Sequence, residues 1–420
     1  MGFWNGLRPQ QRLILVTAWL GWVFDIMDTA LFAFAKGPML TSMLGGAAAY
    51  KLHGPAIEGR MQMLFLFGWA IGGLIFGILA DRWGRTRVLI WTILFYCLFT
   101  AATVLCQTPD QVMLARFCAG LGIGGEWAAG AALVAEMLSD SERASAASFL
   151  QTAAAFGPIL AATANLVIAR TMPPEHFWRA LFLVGALPAA LAVVIRLIGR
   201  DWEPQRAKAA SQPFPLREFG SDSKLRGRLI LTIFLGFAGI AGAGNIAFWL
   251  PNLVASVSQG LSQVEIQTRQ TYATYILHIG TLAGVLVFPR LCDRIGRRRS
   301  FAFFFAAAPA ALLFVGFIAR DPVALLLMAP VISFFAIGLT AGYALYLPEL
   351  FPKRVRATGI GIAYNTGRVL NAPVPSLTGM AISHFGGSIF VGVVMTAALY
   401  AVGLAVLPFA PETRGQRLPA

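Results

Sequence analysis

The residues able to do chemistry in this 420-residue chain are few, and they stand where charge is expensive. Asp25 and Asp28 lie three apart in FDIMDTAL, inside an apolar run, so a helix through them carries both carboxyls on one face. Two carboxylates that close in a medium of low dielectric resist being ionised together. One of them can take a proton on one side and release it on the other. Arg116 and Glu126 lie in a second apolar run, and Glu126 reads two ways, as a second proton site or as the neutraliser of an arginine. Arg368 lies in a third run, AYNTGRVLNAP, which sets Tyr364, Arg368 and Asn371 on one helix face with Asn365 in the same turn. A guanidinium donates in a fork that matches a carboxylate, so this face could hold an anionic ligand; pairing with Asp25 or Glu126 is the other reading. Asn245, Trp249, Tyr346 and Gln151 add polar and aromatic edges suited to a small organic ligand. Trp249 and Tyr346 equally fit an interfacial aromatic belt. His278 is either a group that titrates near neutrality or a hydrogen-bonded core histidine.

The elements that must position these groups are membrane spans. Hydrophobic residues make up 57% of the chain and charged residues 12%, about half the charge that a soluble domain carries. Runs long enough to cross a bilayer fall at 13–37, 61–80, 88–106, 110–135, 145–169 and 177–199, then at 227–254, 270–288, 300–319, 322–347, 357–380 and 386–409. That is an all-α membrane protein of twelve helices in two sets of six: residues 1–199, a polar Pro- and Ser-rich linker at 200–226, and residues 227–420. The net charge of +14 raises a nucleic-acid partner, and the position of the charge answers it. With the amino terminus inside, inner segments hold 24 of the 33 Lys and Arg residues and outer loops hold six, so both termini are expected in the cytoplasm of a cell membrane. The expected partners are a small solute and the bilayer, with no nucleic acid and a monomeric chain. Cys97, Cys106, Cys118 and Cys292 sit in apolar runs, and His53, His176 and His384 in outer loops, so no metal cluster is expected. No GxxxxGK[ST] loop is present to bind ATP, and no intramembrane nucleophile is paired with a base.

The two halves repeat in detail. GILADRWGRTR at 77–87 returns as PRLCDRIGRRR at 289–299, an offset of 212. Glu136 and Arg143, seven apart, return as Glu349 and Arg356 with an offset of 213. A parallel six-helix repeat with a site near the bilayer midplane is one of the architectures of secondary transporters.

On these residues the chain resembles the major facilitator superfamily over nearly its whole length. Asp81, Arg82, Gly84 and Arg85, with Asp293, Arg294, Gly296 and Arg297, match its DRxGR signature in both halves. The resemblance implies a cytoplasmic gate in which these charges, with Glu136, Arg143, Glu349 and Arg356, pair in one conformation and part in the other. Pro289 stands where the pattern has glycine, which puts close helix packing there in question. The fourth span, with Gly120, Gly122, Gly124, Gly125, Glu126 and Trp127, and the loop PELFPKRVRATG look like those of sugar porters and organic-acid proton symporters. The GGEW element is closer to the sialate, monocarboxylate and related metabolite symporters. Its glycines read as close helix contacts. In the resembling sugar porters and aromatic-acid symporters an Asp in the position of Asp28 is tied to proton coupling, with an Arg partner at Arg116; a permanent ion pair joining two helices is the alternative. The resemblance therefore implies proton symport of an organic acid by alternating access, with protons as the coupling ion and no cofactor. Sugar or other metabolite symport comes next. Gly157 and Pro158 hint at drug/proton antiport without its fuller glycine pattern, and a non-transporting sensor would be expected to carry a longer cytoplasmic extension.

Overall fold

A computed structural model describes residues 4, 6–137, 146, 149–190, 216–318, 322–352 and 355–416. Among the described residues nine helices are long and apolar enough to cross a membrane. In hydrocarbon a backbone must satisfy its own hydrogen bonds, which leaves the helix as the only open-ended solution for these runs. Large apolar side chains accordingly turn outward, with Leu74 66%, Trp91 65% and Leu327 69% exposed.

The chain groups into two compact units, Met1–Ala207 with Leu261–Thr271, and Lys208–Gly260 with Tyr272–Ala420. The first contains α1 (Pro9–Met43), α2 (Ala47–Trp83), α3 (Arg85–Ala102), α4 (Pro109–Met137), α5 (Ala153–Thr171) and α6 (Phe177–Val184). The second span is longer than the expected 61–80: α2 has 37 residues and begins outside the apolar run. The sixth span leaves the described residues after 190, and the linker enters them only at α7 (Leu216–Ser221). Asp222 then caps α8 (Ser223–Ser256), accepting from the amides of Lys224 at 2.8 Å and Leu225 at 3.2 Å. α9 (Gln263–Ile295) follows, and then α10 (Arg297–Ile318), α11 (Pro322–Ala336), α12 (Thr340–Leu350), α13 (Arg356–Asn371), α14 (Pro373–His384) and α15 (Ile389–Val406). The eleventh span is two helices, α13 and α14, broken at Ala372 before Pro373, a residue with no amide hydrogen to continue the ladder.

Glycine decides where helices touch. A methyl group on Gly68 or Gly72 of α2 would collide with the backbone of Phe117 or Leu121, and one on Gly124 of α4 with the backbone of Trp69 and Gly73. The 212-residue offset carries this crossing into the second unit, where Gly280 and Gly284 of α9 meet the backbone of Pro330 and Phe334 on α11. Pro289 therefore does not sit at the close approach, and α9 runs through it unbroken. Gly84 and Gly296, the glycines of the two DRxGR loops, both have φ of +96°, a conformation that a side chain disfavours. Because the obstacle at Gly124 is backbone and cannot rotate away, Gly124→Leu should cost about 1–3 kcal/mol or more in detergent thermal unfolding. Gly77→Ala, which meets nothing within 4 Å, should leave unfolding unchanged.

Candidate functional site

In the first unit the acidic pair of α1 comes to face α4. Arg116 Nη1 donates to Asp28 Oδ2 at 2.6 Å, with Arg116 0% and Asp28 1% exposed. Thr100 on α3 donates its hydroxyl to the other oxygen, Asp28 Oδ1, at 2.7 Å. The Arg116 Cζ lies 4.6 Å from the ring centre of Phe32 and 4.1 Å from that of Phe65, so α1 and α2 pack aromatic rings on the guanidinium. Asp25 and Glu126, 1% and 3% exposed, lie close together in the same interior. Two carboxyls this close and this deeply buried resist being ionised together. Gly21, one turn before Asp25, makes room: a methyl there would overlap Glu126 Oε1. Four predicted residues from two helices thus form one buried cluster of three acids and one arginine.

The second unit arranges its predicted residues differently. Arg368 lies half-buried with its Cζ 4.6 Å from the Tyr364 ring centre, and Asn371 is buried on the same helix. Asn365 donates to its own helix at the Gly361 carbonyl, 2.9 Å. Asn245 donates to Thr396 at 2.7 Å and Thr378 at 3.3 Å and accepts from Trp249 Nε1 at 3.1 Å, tying α8 to α14 and α15. Asn245, Trp249 and Thr396 border a small cavity whose remaining walls are mostly aliphatic, including Leu277, Leu325 and Ile332. Trp249 is 5% and Tyr346 1% exposed, so neither stands in an interfacial belt. Tyr346 donates to the Pro411 carbonyl at 2.6 Å, and Tyr343 to that of Leu235 at 2.8 Å. His278 Nδ1 donates to the Thr274 carbonyl at 2.8 Å, the arrangement of a core histidine. Gln151 is half-buried near the start of the fifth span.

Residues 18–375 match the family described as Major Facilitator Superfamily. The chain belongs to that superfamily. A relative described as "Probable 4-methylmuconolactone transporter" from Cupriavidus pinatubonensis is 32% identical over 97% of this chain and 92% of its own length. The "Cis,cis-muconate transport protein" of Acinetobacter baylyi is 31% identical over 84% of this chain and 85% of its own. The crystal structure of a D-xylose-proton symporter shares the fold with a TM-score of 0.75 at 21% identity, covering 96% of this chain and 99% of that one. This is therefore a membrane transporter with the twelve-helix, two-bundle fold of its superfamily, and its relatives are named as transporters, not enzymes.

Of the charges that the resemblance assigns to a gate, the second unit brings Arg297, Glu349 and Asp293 together. Arg297 makes a two-pronged pair with Glu349, Nη2 to Oε1 at 2.9 Å and Nε to Oε2 at 3.2 Å, while its Nη1 reaches Asp293 Oδ1 at 3.1 Å. Arg294 is exposed and Arg356 half-buried, donating to the Phe351 carbonyl at 3.1 Å. In the first unit Arg82 is exposed; the side chains of Asp81, Arg85 and Glu136, and all of Arg143, lie outside the described residues.

Sequence reading overlooked two groups. The first is Glu412, which caps the amino terminus of α10 by accepting from the amides of Arg297 at 2.9 Å and Arg298 at 3.1 Å, while its neighbour Thr413 donates to Glu349 Oε2 at 2.5 Å. Partial burial works to raise the Glu412 carboxyl, and amides from Arg297, Arg414, Arg298 and Thr413 outweigh it and hold it below the usual range. Its contribution is therefore present at neutral pH and lost as pH falls through that lowered value. Glu412→Gln should lower the protection factors of the Arg297 and Arg298 amides by roughly tenfold, and acidifying the native protein should lower the same protection factors once intrinsic exchange rates are corrected for pH. The second is a buried ion pair: Lys36 Nζ lies 3.1 Å from Glu58 Oε2, and Tyr50 donates to Glu58 Oε1 at 2.6 Å. Lys36 falls within the first apolar run, 13–37. Its partner was hidden because Glu58 lies in a polar stretch that reads as an outer loop.

Proposed function

We propose that this transporter is a proton-coupled symporter of a small organic acid, working by alternating access in a cell membrane with both termini cytoplasmic. The observation that carries the reading is the buried cluster in which Asp28 neutralises Arg116 while Asp25 and Glu126 lie buried in the same unit. With three acids against one arginine, the surplus carboxyls are costly to ionise where they are buried, and a group that changes protonation between the two faces of the membrane couples the gradient to the cargo. Names of relatives that carry muconate and a muconolactone support an organic acid as that cargo. Arg368, stacked on Tyr364, supplies a cation for such an anion in the second unit.

The test is uptake of radiolabelled cis,cis-muconate, benzoate and nicotinate into proteoliposomes with and without an inward proton gradient. Wild-type protein should accumulate at least one of them only with the gradient. Asp28→Asn should lose accumulation and keep exchange; full gradient-driven accumulation by that variant would remove Asp28 from the coupling.

A further inference from the structure

We infer that Arg116 itself receives the carboxylate of the transported acid, on the edge of the guanidinium that faces away from Asp28. The inference rests on the proton-coupled reading above and adds to it a site and a stoichiometry. Only Nη1 of Arg116 is engaged by Asp28; Nε and Nη2 are buried and have no hydrogen-bond partner among the described residues. Buried donors without acceptors are rare because they lose their water and gain nothing, and a guanidinium is the costliest donor to leave so. Nε and Nη2 together form one edge of the planar fork, the geometry that a carboxylate meets with two parallel hydrogen bonds. The rings of Phe32 and Phe65 pack on the guanidinium and accept no such bond, so they hold the edge in place and keep water from it.

The electrostatics then link the cargo to the proton. One buried guanidinium balances one carboxylate. When a second arrives on the free edge, two anions share a single cation at low dielectric, and one of them is driven to take up a proton. Asp28 is placed to be that one. Its Oδ1 already holds the Thr100 hydroxyl, which both donates and accepts and can turn to receive the new O–H. The other titratable groups around Asp28 are Asp25 on α1, Glu126 on α4 and Tyr96 and Cys97 on α3. Neither Asp25 nor Glu126 forms the ion pair with Arg116 that Asp28 forms. The result is one proton for each carboxylate carried, with Asp28 and the cargo as alternative counter-ions of Arg116.

Binding measured by calorimetry on the full chain in nanodiscs separates the possibilities. The probes are benzoate, nicotinate and cis,cis-muconate, each beside its uncharged amide, at about pH 5.5 and about pH 7.5. Wild-type protein should bind a carboxylate more weakly as pH rises, by up to about tenfold per unit, and the amides at least about tenfold more weakly than the acids. Arg116→Lys, which keeps the charge and loses the fork, should bind the carboxylate about tenfold or more weakly. Asp28→Asn should bind it at least as tightly as wild type and equally at both pH values, because the competing anion is gone. Should Asp28→Asn fail to give monodisperse protein, Thr100→Val, which weakens the hold on ionised Asp28, should extend carboxylate binding to higher pH. Wild-type affinity in Arg116→Lys, or weaker binding in folded Asp28→Asn, would overturn the assignment while leaving gradient-driven acid uptake intact. Binding of amides or neutral solutes in place of every acid would remove the symport reading as well.

Discussion

Arg116→Leu is expected to lose about 3–5 kcal/mol of stability and all transport, because it strands Asp28 as an uncompensated carboxylate in the interior of the first unit. The size of the effect comes from burial: with Asp28 1% and Arg116 0% exposed, solvent screens neither charge. The double variant Asp28→Asn/Arg116→Leu should recover most of that stability. It removes both charges together, and Thr100 can still donate to the amide oxygen. It should not recover transport, since neither a titratable acid nor a cation remains at this position. Thermal unfolding in detergent and uptake in proteoliposomes, measured on the same three proteins, separate the two roles. A double variant that transports would show the pair to be a brace between helices and nothing more.

The second large effect concerns the other buried pair, and the expected pattern is the opposite one. Lys36→Met should also cost about 3–5 kcal/mol, because Glu58 stays buried with Tyr50 and without the ammonium group 3.1 Å away. Lys36→Met/Glu58→Gln removes both charges and leaves an amide oxygen to accept from Tyr50. That double variant should regain stability and most transport as well. Lys36 lies eight residues beyond Asp28, about 12 Å along the helix, too far to take part in the exchange of protons or cargo there. It ties α1 to the part of α2 that precedes the apolar run at 61–80. A double variant that folds but does not transport would instead place Lys36 and Glu58 on the route of the cargo. Together the two cycles ask one question of two ion pairs equally buried: whether the charge is needed for the shape or for the work.

What the sequence by itself determined is the architecture and the identity of the costly groups. A bilayer permits few solutions to long apolar runs, so span number, repeat and membrane setting followed from hydropathy, from the 212-residue offset and from the paired DRxGR loops. Charges within spans stand out because so few are tolerated, which is why Asp25, Asp28, Arg116, Glu126 and Arg368 were legible as candidates. Their partners were not. Helical periodicity says which side chains share a face of one helix and nothing about which helix that face meets. Asp28 rather than Asp25 pairs with Arg116, Glu126 joins Asp25 against Gly21, and Glu58 reaches Lys36 from a stretch that reads as loop; each depends on how helices cross. Those crossings are set by backbone approach at glycines such as Gly72 and Gly124, a short-range steric fit between segments distant in sequence. The same packing engages Asn245 and Trp249 in hydrogen bonds within their own unit and leaves two nitrogens of Arg116 without an acceptor among the described residues. Only the tertiary structure could decide this, because composition states which donors exist, while burial and geometry state which of them still lack an acceptor.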